Sequence, residues 1–187
     1  MKRQITFSQY RLIDLAIMTG LMALSQLVIH FAVSQWYAEA TGYIVSPVAA
    51  VTAMVLMRWN LWAAIPAVLG GLILTMGGTT EQIVIYSAGN LLAMLAMLYL
   101  KLIGKERVRN NVILSLLFAV LVQLLMQFGR AGVALLMGHT LRACWDFITT
   151  DAMSILFTIV IIWIVRRIEG LFEDQKHYLL RIQQEQS

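Results

Sequence analysis

The chain has 187 residues, 60% hydrophobic and 13% charged, whereas soluble domains carry about 25% charged residues. This excludes a sizeable soluble domain and predicts an all-α integral membrane bundle forming a single domain, 1–187. The net charge of +4 carries no nucleic-acid signal, because the basic residues flank apolar runs, as the positive-inside rule places them.

Residues 1–11 form a basic amphipathic start, read as a cytoplasmic N-terminal segment. Six spans are predicted after it: 12–33, 44–57, 61–76, 83–100, 112–137 and 147–165. The first apolar run, from Leu12, is long enough to span and reads as a retained helix, not a cleaved signal. Segment 34–43 is polar and aromatic, 58–60 is a tight turn, 77–82 is a Gly/Thr loop and 101–111 is a basic loop. A polar tail, 166–187, is expected to be helical and cytoplasmic. Twelve of the 14 Lys and Arg residues fall on one side of this arrangement, which makes that side and both termini cytoplasmic. A full crossing needs about 20 residues. The second and third spans are shorter, so they either extend into their flanking segments or form a thinner part of the bundle. Pro66 and Gly70-Gly71 allow a kink or close packing there.

The two remaining cations, Arg130 and Arg142, lie towards the opposite end. Gln123, Gln127 and Arg130 stand at i, i+4 and i+7 and share a helical face. Tyr86 and Asn90 share one on the fourth span, and Gln26 and His30 one on the first. At 1.5 Å per residue, Arg130, Asn90 and Gln26 lie ~10 Å below the outer ends of their spans, and Tyr86, His30 and Asp151 ~5 Å below. This common layer over an apolar inner half suggests a cavity open outward and closed below. Polar residues in spans also serve as interhelical glue, and Gln26, Asn90 and Gln123 fit either reading. Arg130 is costlier to insert than one interhelical bond returns, which favours a ligand or counter-ion role; Asp151 and Asp146 are its natural charge partners. Arg142 and Asp146 are alternatively a solvated i, i+4 pair at the mouth. Trp36, Tyr37, Tyr43 and Trp145 are candidates for stacking on a ring or for the interfacial aromatic belt, whereas Trp59 and Trp62 read as belt residues.

No Walker A motif, HExxH, Gly-x-Ser-x-Gly or Cys/His cluster occurs. The chain is therefore expected to be no enzyme, to use no cofactor and to bind no metal. Cys144, the single cysteine, is expected to be a small apolar filler.

Ala16, Gly20 and Ala23 line one face of the first span, suited to close helix packing inside the bundle or against a separate subunit. Ala16-x-x-x-Gly20 with Ala23, the Ser46-Pro47 to Gly71 stretch with its Arg58-Trp59-Asn60-Leu61-Trp62 turn, and the ending Arg167-x-x-Gly170-Leu171-Phe172-Glu173-Asp174 resemble the substrate-binding S components of energy-coupling factor transporters. So does the layout of six spans with both termini inside. The first motif departs from the family's Ala-x-x-x-Ala by one Gly. The resemblance implies a vitamin-capture subunit of a bacterial plasma membrane importer. Segments 34–43, 77–82 and 138–146 would form or cover the site, with Arg130, Asn90, Gln127 and Asp151 foremost on the ligand. Ala16, Gly20 and Ala23 would dock on a transmembrane coupling protein carrying two ATPase subunits, where ATP is hydrolysed. Two other readings stand: a non-transport scaffold of cell-envelope machinery using the tail, and a small membrane enzyme or stand-alone carrier.

Overall fold

A computed structural model describes residues 6–36 and 44–185, the side chains at 33–36, 183 and 185 excepted. Trp36's side chain, Tyr37 and Tyr43 thus lie outside what is described. Among the described residues the chain is all-helical. Five stretches are long and apolar enough to cross a membrane: Phe7–Ala32, Val48–Leu74, Thr80–Ile103, Val112–Leu136 and Leu141–Val165. The chain is thus a multi-pass membrane protein by length and composition.

Helix α1 (Phe7–Trp36) lies at the edge of the bundle and exposes Leu12, Ile17, Leu24 and Val28, a surface suited to lipid. The second apolar stretch is not one straight rod. Helix α2 (Val48–Trp59) ends at Asn60, whose φ of 55° turns the chain through a 3-10 segment into α3 (Ala64–Leu74). A Cβ added at Gly70 would lie 2.4 Å from the Val48 side chain, so the two arms run back along each other. Neither arm extends into its flank. Residues 44–46 instead hydrogen-bond to the last stretch, with the Ile44 N–H donating to the Thr150 carbonyl at 2.9 Å. Pro47 precedes α2, where its missing N–H costs nothing. Every residue of α2 is buried.

Helix α4 (Thr80–Asn90) starts on a capping box. The Thr79 hydroxyl accepts from the Gln82 N–H, and the Gln82 side chain accepts from the Thr79 N–H. These exchanges satisfy two of the free donors at a helix start, so the expected Gly/Thr loop ends three residues early, at Thr79. The span continues through a 3-10 turn, Leu91–Leu95, into α5 (Ala96–Ile103). Gly104 at φ 89° then reverses the chain into the short α6 (Lys105–Asn110). Helix α7 (Val112–Leu136), capped by Asn111, is the central element. It packs against α2, α4, α8 (Leu141–Thr149) and α9 (Ala152–Val165). The sixth predicted span therefore begins earlier than Phe147, and the expected outer loop 138–146 is mostly helix.

Two glycines set the closest crossing. A Cβ at Gly129 would fall 2.0 Å from the Gly89 carbonyl oxygen, and one at Gly89 would fall 2.5 Å from the Arg130 amide nitrogen. The backbones of α4 and α7 touch there, as small residues permit in membranes.

The basic end is closed by the tail. Residues 166–174 are not helical; they fold under the bundle before α10 (Gln175–Glu185). Phe172, Glu173 and Gln175 are buried, and the Tyr10 hydroxyl donates to Gln175 Oε1 at 3.1 Å. The start of α1 and the tail therefore share one end of the bundle.

Candidate functional site

The Gly89–Gly129 contact places the next residue of each helix, Asn90 and Arg130, side by side. Arg130 Nε donates to Asn90 Oδ1 at 2.8 Å, and Nη1 donates to Asp151 Oδ2 at 2.6 Å. Both charged side chains are 1% exposed. The guanidinium also lies over the Tyr86 ring, 4.5 Å from its centroid, a cation–π contact. Asp151 sits at the break between α8 and α9. Its Oδ2 also accepts from Gln123 Nε2 at 2.7 Å, and its Oδ1 is within hydrogen-bond reach of Ser154 Oγ. Ser154 Oγ accepts the Ser46 N–H at 3.1 Å and lies 3.0 Å from the Ile44 carbonyl oxygen, tying the start of α2 to the same cluster. Asn90 completes its part by donating to the Ala67 carbonyl at 2.9 Å. Four helices and one extended segment thus converge on a single buried ion pair. Such a pair is tolerated at low dielectric only when further hydrogen bonds satisfy it.

One member stands apart. Gln127 lies one turn from both Arg130 and Gln123 on α7 and is fully buried. Neither its Nε2 nor its Oε1 has a hydrogen-bond partner, and the same holds for Gln26 Oε1, Thr52 Oγ1 on α2 and Thr158 Oγ1 on α9. An unmet buried polar group costs ~1–3 kcal/mol. The stripe predicted on α7 is real, but its members divide: Arg130 and Gln123 are spent on the protein, and Gln127 is not.

Above the ion pair, Tyr86 packs edge-on against Phe147, centroids 5.8 Å apart, and Phe147 lies edge-on to His139 at 6.5 Å. His139 Nε2 is 2.7 Å from Glu81 Oε1, linking the end of α7 to the start of α4. Ile85, Cys144 and Ala134 fill the space around Tyr86, so Cys144 is the apolar filler that its sequence suggested.

The remaining candidates lie elsewhere. Gln26 is buried on α1, but His30, one turn on, is exposed; the shared face splits because α1 is only partly covered. Arg142 and Asp146 are both exposed on α8 and make no ion pair with each other. Asp151, not Asp146, is the partner of Arg130. Trp145 is exposed to 62%. Ala16, Gly20 and Ala23 line a groove of about 700 Å³ between α1 and α3. A Cβ at Gly20 would meet nothing within 4 Å, so Gly20 is not required for close packing inside the bundle.

A second polar cluster, at the basic end, escaped the sequence reading. Asp14 of α1 accepts from Arg58 Nη2 at 2.5 Å and Nε at 2.9 Å, and from the Trp59 indole. Arg58 also donates to the carbonyls of Gly170 and Leu171. Trp59 is therefore a buried hydrogen-bond donor and not an interfacial belt residue. Lys105 bridges the Met57 carbonyl, at 2.8 Å, and Asp174, at 2.6 Å. Arg109 pairs with Glu173. Burial raises the pKa of Asp174, but the Lys105 hydrogen bond and charge, with the backbone N–H groups of Lys176 and His177, outweigh it and hold the carboxyl below the usual range. A lone carboxylate in the first span, Asp14, was the signal that could have revealed this cluster. Ser154, one turn after Asp151, was the corresponding signal for the ion pair.

Among the described residues no group of three or more His, Cys, Asp or Glu side chains could hold a metal. No protein-family model, no curated protein and no solved structure matches the chain.

Proposed function

We propose that the chain is a substrate-capture subunit of the energy-coupling factor type, binding a vitamin or related micronutrient between α2, α4, α7 and α9. The observation that carries this reading is Gln127: a fully buried amide without a protein partner, beside a polar cluster whose other members are mutually satisfied. Such an amide suits a ligand that brings its own donor and acceptor. The Arg130–Asp151 pair is internally neutral, so it favours a neutral or zwitterionic ligand over a simple anion. Six passes with both termini cytoplasmic agree with the reversal at Asn60, with Tyr10 meeting Gln175 and with the basic residues gathered at that end. The small face of α1 would then take the transmembrane coupling protein, and two ATPase subunits would drive release. The scaffold reading is less well supported, because Gly170, Phe172, Glu173 and Gln175 of its interaction tail are buried against the bundle.

The test is ligand binding by the purified chain, by mass spectrometry of co-purifying small molecules and calorimetry against a micronutrient panel. Gln127→Leu should weaken binding at least ~10-fold while leaving the thermal midpoint unchanged or raised. Full affinity in Gln127→Leu would remove the site from this position. No binding to any micronutrient, with no ATPase module co-purifying, would remove the function and favour the scaffold.

A further inference from the structure

The groove between α1 and α3 adjoins a second cavity of different chemistry. Leu12, Leu15, Ala16, Ile65 and Leu69 give the groove its apolar walls. At its basic end, Arg11 and Trp62 belong to both this groove and a neighbouring pocket of about 440 Å³. That pocket also holds Arg58, Lys101, Lys176 and Asp174. Arg58 is neutralised by Asp14, and Asp174 by Lys105. Among the described residues, Arg11, Lys101 and Lys176 have no ion-pair partner; Arg11 lies over the Trp62 ring, 4.2 Å from its centroid. Three uncompensated cations therefore line a cavity that shares Trp62 with an adjoining apolar groove along the span.

The geometry points to a bound anionic phospholipid, its phosphate held by Arg11, Lys101 and Lys176 and one acyl chain lying between α1 and α3. Charge complementarity selects the occupant. An apolar helix would fill the groove and leave the cations unanswered, whereas a free phosphate would answer the cations and leave the groove empty. Near a membrane surface each Lys or Arg contributes about fivefold to the retention of an anionic lipid. This site does not depend on the transport reading. If that reading holds, the acyl chain and the coupling protein take the same groove in turn, so docking expels the lipid.

The experiment uses the full chain in detergent, titrated with phosphatidylglycerol or phosphatidylcholine bearing identical brominated acyl chains. Quenching is assigned to Trp62 by difference from Trp62→Phe. Phosphatidylglycerol should quench at a concentration at least ~10-fold lower than phosphatidylcholine. Arg11→Gln and Lys101→Gln should each reduce that preference about fivefold. Arg107→Gln, an exposed cation outside the pocket, should leave it intact, and all variants should keep the wild-type thermal midpoint. Equal affinity for the two lipids would overturn the proposal, as would an equal loss in Arg107→Gln, which would mean diffuse charge attraction. Full competition by glycerol phosphate would overturn it in favour of a free phosphate site. Absence of Trp62 quenching together with a dimeric mass would overturn it in favour of a second copy in the groove.

Discussion

Asp151→Ala removes one carboxylate from three side chains. It leaves Arg130 Nη1, Gln123 Nε2 and Ser154 Oγ without the acceptor they share, and an arginine that is 1% exposed without its counter-charge. Breaking a buried pair from one side costs ~3–5 kcal/mol. At about 2–4 °C per kcal/mol for a chain of this size, the midpoint should fall by roughly 6–20 °C. Cys144 provides the assay: it is the single cysteine and buried against Tyr86, so a thiol-reactive fluorophore reports its exposure on heating. Arg130→Met should cost less than Asp151→Ala, because a lone carboxylate keeps the Gln123 and Ser154 donors. The double variant should be milder than the sum of the singles by at least ~1 kcal/mol. A midpoint loss under about 3 °C for Asp151→Ala, or strict additivity in the cycle, would refute the view that this pair is one satisfied unit.

Gly129→Ala should be at least as damaging, since its methyl would fall 2.0 Å from the Gly89 carbonyl oxygen; the same thermal assay should show a loss of several kcal/mol, or no folded protein. Gly20→Leu should leave stability and ligand affinity unchanged, because the site is open, while uptake in cells falls; equal loss of both would assign Gly20 to bundle packing. Asp174→Asn should cost about 1–2 kcal/mol at neutral pH, given the partial exposure of its pair with Lys105. The folded carboxyl titrates below its unfolded value, so this contribution is present above about pH 4 and lost as pH falls through the lower folded value. Wild type and Asp174→Asn should therefore converge in acid, as chemical unfolding at pH 7 and pH 3 would show.

Much of the fold was legible because membrane helices declare themselves by hydropathy and charge. Helical spacing also placed Gln123, Gln127 and Arg130 on one face correctly. What spacing could not reveal was which members of that face would find protein partners. Asp151 is chosen over Asp146 because the chain breaks after α8 and turns Asp151 inward, a tertiary effect with no local signature. His30 shares a helical face with Gln26 but not its environment, since α1 is covered along only part of its surface. The basic-end cluster was missed because charge at a span boundary was read as a topology signal alone; Arg58 and Lys105 are also crosslinks between distant segments. The small face of α1 suited packing inside the bundle or against another subunit equally well, and the open setting of Gly20 removes close internal packing at that position alone.

The Gly89–Gly129 crossing also has a mechanical side. With backbone against backbone at this one point, α4 and α7 have no side chain there to act as a bearing, so sliding would force Gly89 into Gly129. The two helices should move as a rigid girder carrying Tyr86, Asn90, Gln127 and Arg130. Any gate that admits a ligand must then swing elsewhere. If the chain does capture a ligand, the piece placed to swing is α8, bounded by Gly138 at φ 91° and the break at Asp151, with the His139–Glu81 contact fastening its Gly138 end.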